Sequence, residues 1–216
     1  MKPASDSKRT CRIGNGIFFS AFISCLALIG GCVWDPSTQN SNFEGNKAFA
    51  AGRFGDARSH YEVSLRLATE AGDAEYAATA MYGLARANAK LCNVAEAEKW
   101  FRNSIAARES LSDSRDAHIS QNFLEFARFQ LAQGNVEEAV RLMDRAAPHL
   151  ESPVVTHQDP IAYADFWDGY AAALKQVGRV TDAAAASAVA DGLRSQFPNR
   201  KALFRPTTYP DCRGGK

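Results

Sequence analysis

Gly134-Asn135-Val136-Glu137-Glu138-Ala139 decides the fold, because its layout occurs four times in the chain. Gly52-Arg53-Phe54-Gly55-Asp56-Ala57 and Gly178-Arg179-Val180-Thr181-Asp182-Ala183 repeat it, and Cys92-Asn93-Val94-Ala95-Glu96-Ala97 is a copy without the glycine. In each, an apolar residue stands three places before an alanine, and an acid stands immediately before it. The alanines, at 57, 97, 139 and 183, are 40, 42 and 44 residues apart. Recurrence at such a period is the signature of a helical repeat array.

On either side of each copy, apolar residues follow helical spacing. Tyr76, Ala80, Leu84, Ala87 and Leu91 form one stripe, and Val94, Ala97, Phe101 and Ile105 the next. Ile119, Phe123, Phe126, Ala127 and Leu131 lead into Gly134, with Val136, Ala139, Met143 and Ala146 beyond it, and Pro148 is expected to stop that helix. After a loop at 148–160, Tyr163, Phe166, Trp167, Tyr170 and Leu174 lead to Gly178, and a final stripe runs to Phe197. The spacing predicts an all-α chain of four helix-turn-helix pairs over residues 43–197, opening with a short helix over 43–51. Gly52, Gly134 and Gly178 suit the left-handed residue that closes a helix, and Asn93 is the expected substitute in the second unit. Ala57, Ala97, Ala139 and Ala183 offer smooth sites for close helix crossing, opposite Gly45, Ala85, Ala127 and Ala171.

Taken together, the small residue of the first helix, the glycine turn, the alanine and the aromatic four places later resemble the tetratricopeptide repeat. Tyr61, Phe101 and Met143 stand at that late position, from which Ser187 departs. Leu84-Ala85 resembles the family's Leu-Gly pair, and the long period resembles the kinesin-light-chain variety of the repeat. The resemblance implies a superhelical array whose first helices present a concave, protein-binding face. On this chain that face would carry Asn42, Asn46, Tyr82, Arg86, Lys90, Gln121, Arg128, Asp165, Asp168 and Lys175. Arg86 and Arg128 fall at equivalent places in adjacent units and would hold a partner's carboxylate by forked hydrogen bonds.

The N-terminus reads differently. Four basic residues (Lys2, Lys8, Arg9, Arg12) precede the uncharged run Ile17–Ile29. That run is too short, at roughly 1.5 Å per residue, to cross a hydrocarbon core of about 30 Å. A basic start, a short apolar run and small residues before a break make a secretory signal peptide, assigned to residues 1–31. Ile29-Gly30-Gly31-Cys32 resembles the lipobox of bacterial lipoproteins, which implies lipidation at Cys32 and a membrane anchor through acyl chains. Val33 stands where an aspartate would resemble an inner-membrane retention signal, so the reading is an envelope protein facing the periplasm, with the outer membrane favoured. Residues 32–42 then form the lipidated cysteine and a polar tether.

Composition narrows the function. With the basic leader set aside, a net charge of +1 becomes a slightly acidic body, which argues against nucleic acid as partner. No phosphate-binding glycine motif or nucleophile motif is present, so no catalytic residue and no cofactor is assigned. His149, Glu151, His157 and Asp159 share one loop but lack metal-site spacing, so no metal is assigned. The expected function is a non-enzymatic scaffold for a protein or peptide partner in assembly of an envelope complex. The competing readings are a structural tether touching lipid or cell-wall polymer through the basic tail, residues 198–216, and, ranked below it, a helical envelope enzyme with metal in the 149–159 loop. A disulfide between Cys92 and Cys212 is permitted in an oxidising envelope, although a buried Cys92 would oppose it.

Overall fold

The computed structural model describes residues 36–111, 117–150 and 159–214. The signal segment, the lipobox and Cys32 lie outside them. Among the described residues there are eight α-helices and no strand. They are α1 (Pro36–Ala50), α2 (Phe54–Glu70), α3 (Ala74–Lys90), α4 (Val94–Leu111), α5 (Ala117–Ala132), α6 (Val136–Leu150), α7 (Pro160–Gln176) and α8 (Val180–Gln196). Each odd-numbered helix packs along the even-numbered one that follows it, α1–α3 and α3–α5 touch as well, and α5 and α7 line one cavity, so the odd helices share one face. None of the described helices is long and apolar enough to cross a membrane.

The recurrent motif is the hinge of each pair. Gly52, Gly134 and Gly178 have φ of 75°, 76° and 78°, the left-handed region that costs a glycine little. One residue later the chain donates back to the previous helix: Arg53 N to Ala48 O at 2.9 Å, Asn135 N to Gln130 O at 2.9 Å, and Arg179 N to Leu174 O at 2.9 Å. These bonds satisfy carbonyls that the helix end leaves orphaned. In the second pair it is Cys92, at φ 58°, that takes the left-handed conformation, not Asn93. Asn93 instead makes the backward bond, to Asn88 O at 3.0 Å, and its side chain donates to Asn88 Oδ1 at 3.0 Å.

Two boundaries differ from expectation. The first helix starts at Pro36, a residue suited to the first helical position, so 36–42 is helix rather than tether. Pro148 lies inside α6, which ends two residues later at Leu150. So near the end, the missing N–H costs a single helix bond instead of the helix.

Ala57, Ala97, Ala139 and Ala183 are all 0% exposed. From α3 to α8 one continuous core runs through the last three, with the Phe101 and Phe126 rings stacked at 5.0 Å. A smaller cluster gathers α1, α2 and α3 around Tyr61. Its ring lies between two glycines: a Cβ on Gly45 would sit 2.6 Å from Tyr61 Cε1, and one on Gly83 2.5 Å from Cδ1. Gly45 is therefore small to admit this ring, and Gly83 shares the role. The buried serines Ser64 and Ser104 tie the two helices of the first and second pairs together in the same way, donating to Thr38 O at 3.2 Å and Ala78 O at 2.9 Å.

Candidate functional site

The odd helices divide the expected groove residues into two groups. Asn42, Asn46, Tyr82, Arg86 and Gln121 line a cavity of about 470 Å³ between α1, α3 and α5. Tyr61, Tyr76, Arg108 and Asn122 are also part of its wall. These four were not expected from the sequence, since Tyr61 and Arg108 reach the cavity from second helices and Asn122 is 2% exposed. The Tyr61 hydroxyl donates to Asn46 Oδ1 at 2.8 Å. Burial, opposed by the nearby Arg86, pushes that phenol up to about 12.

The two arginines expected to await a partner's carboxylate already have one. Glu125, 1% exposed, accepts from Arg128 Nη1 at 2.6 Å and lies 3.9 Å from Arg86 Nε. A buried carboxylate is retained only where charge and hydrogen bonds compensate it. Glu125 therefore binds Arg128 directly and faces Arg86, so the two arginines already share a carboxylate of this chain. Arg86 also lies over the Phe49 ring at 4.2 Å and near the Tyr82 ring at 5.3 Å. Burial works against its charge, but Tyr82, Tyr209 and Glu125 outweigh that and raise its pKa.

Beyond α8 the chain turns back along the odd helices. Leu203 N and Phe204 N donate to Asp159 Oδ2 at 2.9 and 2.7 Å, and the other oxygen of Asp159 caps α7 by accepting from Ala162 N at 3.2 Å. Thr207 Oγ1 accepts from Arg86 Nη2 at 3.3 Å. The Tyr209 ring meets Phe129 edge-on at 5.7 Å, and its hydroxyl donates to Glu125 Oε2 at 2.6 Å. Burial first, and then Glu125, hold this phenol well above its ordinary pKa, so it stays a donor. Gln133 reads the backbone with both ends of its amide, donating to Pro210 O at 2.9 Å and accepting from Cys212 N at 3.0 Å. The segment ends in a disulfide between Cys212 and Cys92, Cα atoms 5.4 Å apart. Cys92 is exposed, not buried.

Asp165, Asp168 and Lys90 of the expected set are engaged within the chain as well. Asp165 and Asp168 both pair with Arg194, at 2.8 and 2.7 Å. Lys90 faces the rings of Phe54 and Tyr209 at 5.3 and 5.9 Å, while Lys175 is exposed. The tail is not a free basic arm, because residues 203–212 are engaged with the helices. Arg213 binds Asp211 at 2.7 Å, and these side-chain and backbone hydrogen bonds lower the exposed Asp211 to about 2. Of the loop considered for metal, Asp159 is the α7 cap just described, whereas Glu151 and His157 lie outside the described residues.

Known proteins resemble this chain in two ways. Residues 43–110, which span most of α1 to α4, match the tetratricopeptide repeat family. Among solved structures, BtubC (BKLC) from P. vanneervenii is similar at a TM-score of 0.68 and 20% identity, over 81% of this chain and 70% of that one. At that identity the likeness concerns the fold: a tetratricopeptide-like array of helix pairs. No curated protein matches the sequence.

Proposed function

We propose that this chain is a non-enzymatic scaffold, lipid-anchored in the bacterial envelope at Cys32, that holds an extended polypeptide of a partner on its odd-helix face. One observation carries the reading. The chain's own residues 203–212 already lie on that face, with main chain and side chains held by Asp159, Arg86, Glu125 and Gln133. A surface that holds one such segment has the chemistry to hold another, and the cavity between α1, α3 and α5 is the length of it left open. A repeat array offers a stiff surface of this kind without any catalytic machinery. The titratable groups here, Arg86, Glu125, Arg128 and Tyr209, are engaged with one another rather than poised for chemistry. The long period resembles that of the kinesin-light-chain variety of the repeat, and Val33 after the cysteine favours the outer membrane.

The test uses a photo-crosslinking residue at Gln121, exposed on the cavity rim, against the same residue at Glu62, exposed on α2. Irradiation of intact cells is expected to give a discrete protein adduct from Gln121 and none from Glu62. Identical patterns from the two positions would sink the groove reading. Anchoring is a separate matter: Cys32→Ser is expected to move the protein out of the membrane fraction, and unchanged fractionation would overturn it.

A further inference from the structure

We infer that the face formed by α3, α5 and α7 is a site for an extended segment carrying a proline-flanked tyrosine, and that residues 203–212 are its resident occupant, latched by Cys92–Cys212. The inference rests on the groove reading above. It adds the kind of segment the site takes and what controls entry.

The hold is uneven along the tail. Leu203 and Phe204 are 77% and 46% exposed, and a cavity of about 130 Å³ remains where Phe204 and Pro206 face Arg128, Leu131 and Phe166. The close fit begins at Thr207 and centres on Tyr209, which stands next to Pro210. Its hydroxyl is the only short hydrogen bond given to Glu125 Oε2 among the described residues, since Arg86 Nε stays 3.9 Å away. If the tail leaves, a carboxylate oxygen at the floor of the site loses its donor. That is costly unless the incoming segment brings another hydroxyl. Gln133, bonding a carbonyl and an N–H two residues apart, selects extended backbone and not a particular side chain.

The disulfide makes this occupant permanent. Intact, it fastens the tail at one end to Cys92 while α8 fastens the other, so a segment in solution competes with one at a very high effective concentration. The latch is open to chemistry, because Cys92 is exposed and Cys212 is half-buried. A dithiol reductant would attack one sulfur as thiolate to form a mixed disulfide, and its second thiol would resolve that bond. Cys92 and Cys212 leave as thiols, and the reductant takes up the disulfide. The position of Cys92 suits the role: it replaces the turn glycine of the other pairs at the end of α3, beside the site.

The experiment uses the full chain in detergent micelles and a fluorescent peptide with the sequence of residues 203–211, followed by anisotropy. The oxidised protein is expected to leave the peptide free. Reduction with dithiothreitol is expected to give saturable binding, tightened at least tenfold in the variant Cys212→Ser with Tyr209→Ala, whose own tail competes poorly. A peptide with phenylalanine in place of tyrosine is expected to bind at least tenfold more weakly. Equal binding to oxidised and reduced protein overturns the latch. Absence of binding to both the reduced protein and the double variant, or equal binding of the phenylalanine peptide, overturns the site. None of these results touches the Gln121 crosslink, which reports on the open cavity, so the two readings fail separately.

Discussion

Replacing Gly83 by alanine sets two effects of opposite sign against each other. Alanine favours a helix interior over glycine by about 1 kcal/mol, so in open space the change stabilises. Position 83 is not open: the new Cβ would stand 2.5, 2.6 and 2.7 Å from Cδ1, Cε1 and Cγ of Tyr61. Carbon atoms rest at about 3.5–4.0 Å, so the overlap is roughly 1 Å. The ring has nowhere to go. It is 0% exposed, Gly45 presses the other side, and its hydroxyl is fixed to Asn46 Oδ1 at 2.8 Å. Overpacking of this kind costs about 1–3 kcal/mol, and an immovable neighbour argues for the upper end. The net expectation is a loss of about 2 kcal/mol after the helix gain is set against it.

Gly169 in α7 supplies the control, because a Cβ there meets nothing within 4 Å. Gly169→Ala should therefore gain about 1 kcal/mol, leaving about 3 kcal/mol between two formally identical substitutions. In equilibrium urea unfolding with a slope of about 2 kcal/mol/M, Gly83→Ala should lower the midpoint by about 1 M and Gly169→Ala raise it by about 0.5 M. In a Tyr61→Leu background the ring is gone, and Gly83→Ala should then raise the midpoint too. A Gly83→Ala protein as stable as Gly169→Ala, or a penalty that persists without the ring, would refute the sandwich.

Three further outcomes follow from the same contacts. Tyr209→Phe removes the donor to the buried Glu125 and should cost about 1–3 kcal/mol in urea unfolding, against no change if that bond is idle. Cys92→Ser opens a chord of 120 residues and should cost about 2–5 kcal/mol, with unaltered stability counting against the disulfide. In alkali, Tyr61 has its folded pKa raised from 10.0 to about 12 by burial. Stability from a raised pKa is complete below the unfolded value and is lost as pH climbs through the folded one, here about 3 kcal/mol over that window. Phenolate absorbance from the buried tyrosines should thus rise only together with loss of helical circular dichroism; full ionisation with helices intact would contradict it.

What the sequence revealed, it revealed through local periodicity. The four turns and the eight helices follow from residues at most a few turns apart, and so do the buried alanines. Where the reading slipped, a local rule met a non-local fact. Ser37 to Asn42 read as tether because no apolar residue marks a face there, yet the helix is held by Ser64 bonding Thr38 O from 26 residues away. Phe43, the apolar residue at which the expected first helix opens, is 58% exposed. Residue type favours Asn93 over Cys92 for the left-handed position, but the glycines at 52, 134 and 178 align with 92.

The groove was legible as a face but not as a site, since periodicity orients side chains without saying what meets them. Arg86 meets Thr207 across 121 residues and Glu125 meets Tyr209 across 84, separations that no helical pattern encodes. A trace of the site was nevertheless present in the departures from the repeat. In register with the turns, Glu125 falls in a column with Phe43, Gly83 and Gly169 and is its one charged member, and Cys92 falls in the column of turn glycines. Helix packing calls for neither a buried carboxylate at the first of these positions nor a thiol at the second, so each serves something other than packing. Those two exceptions are the anchor for Tyr209 and the bond to Cys212, the two points at which the tail is fastened. In a repeat protein the regular positions encode the scaffold, and the breaks in regularity mark where it holds another segment.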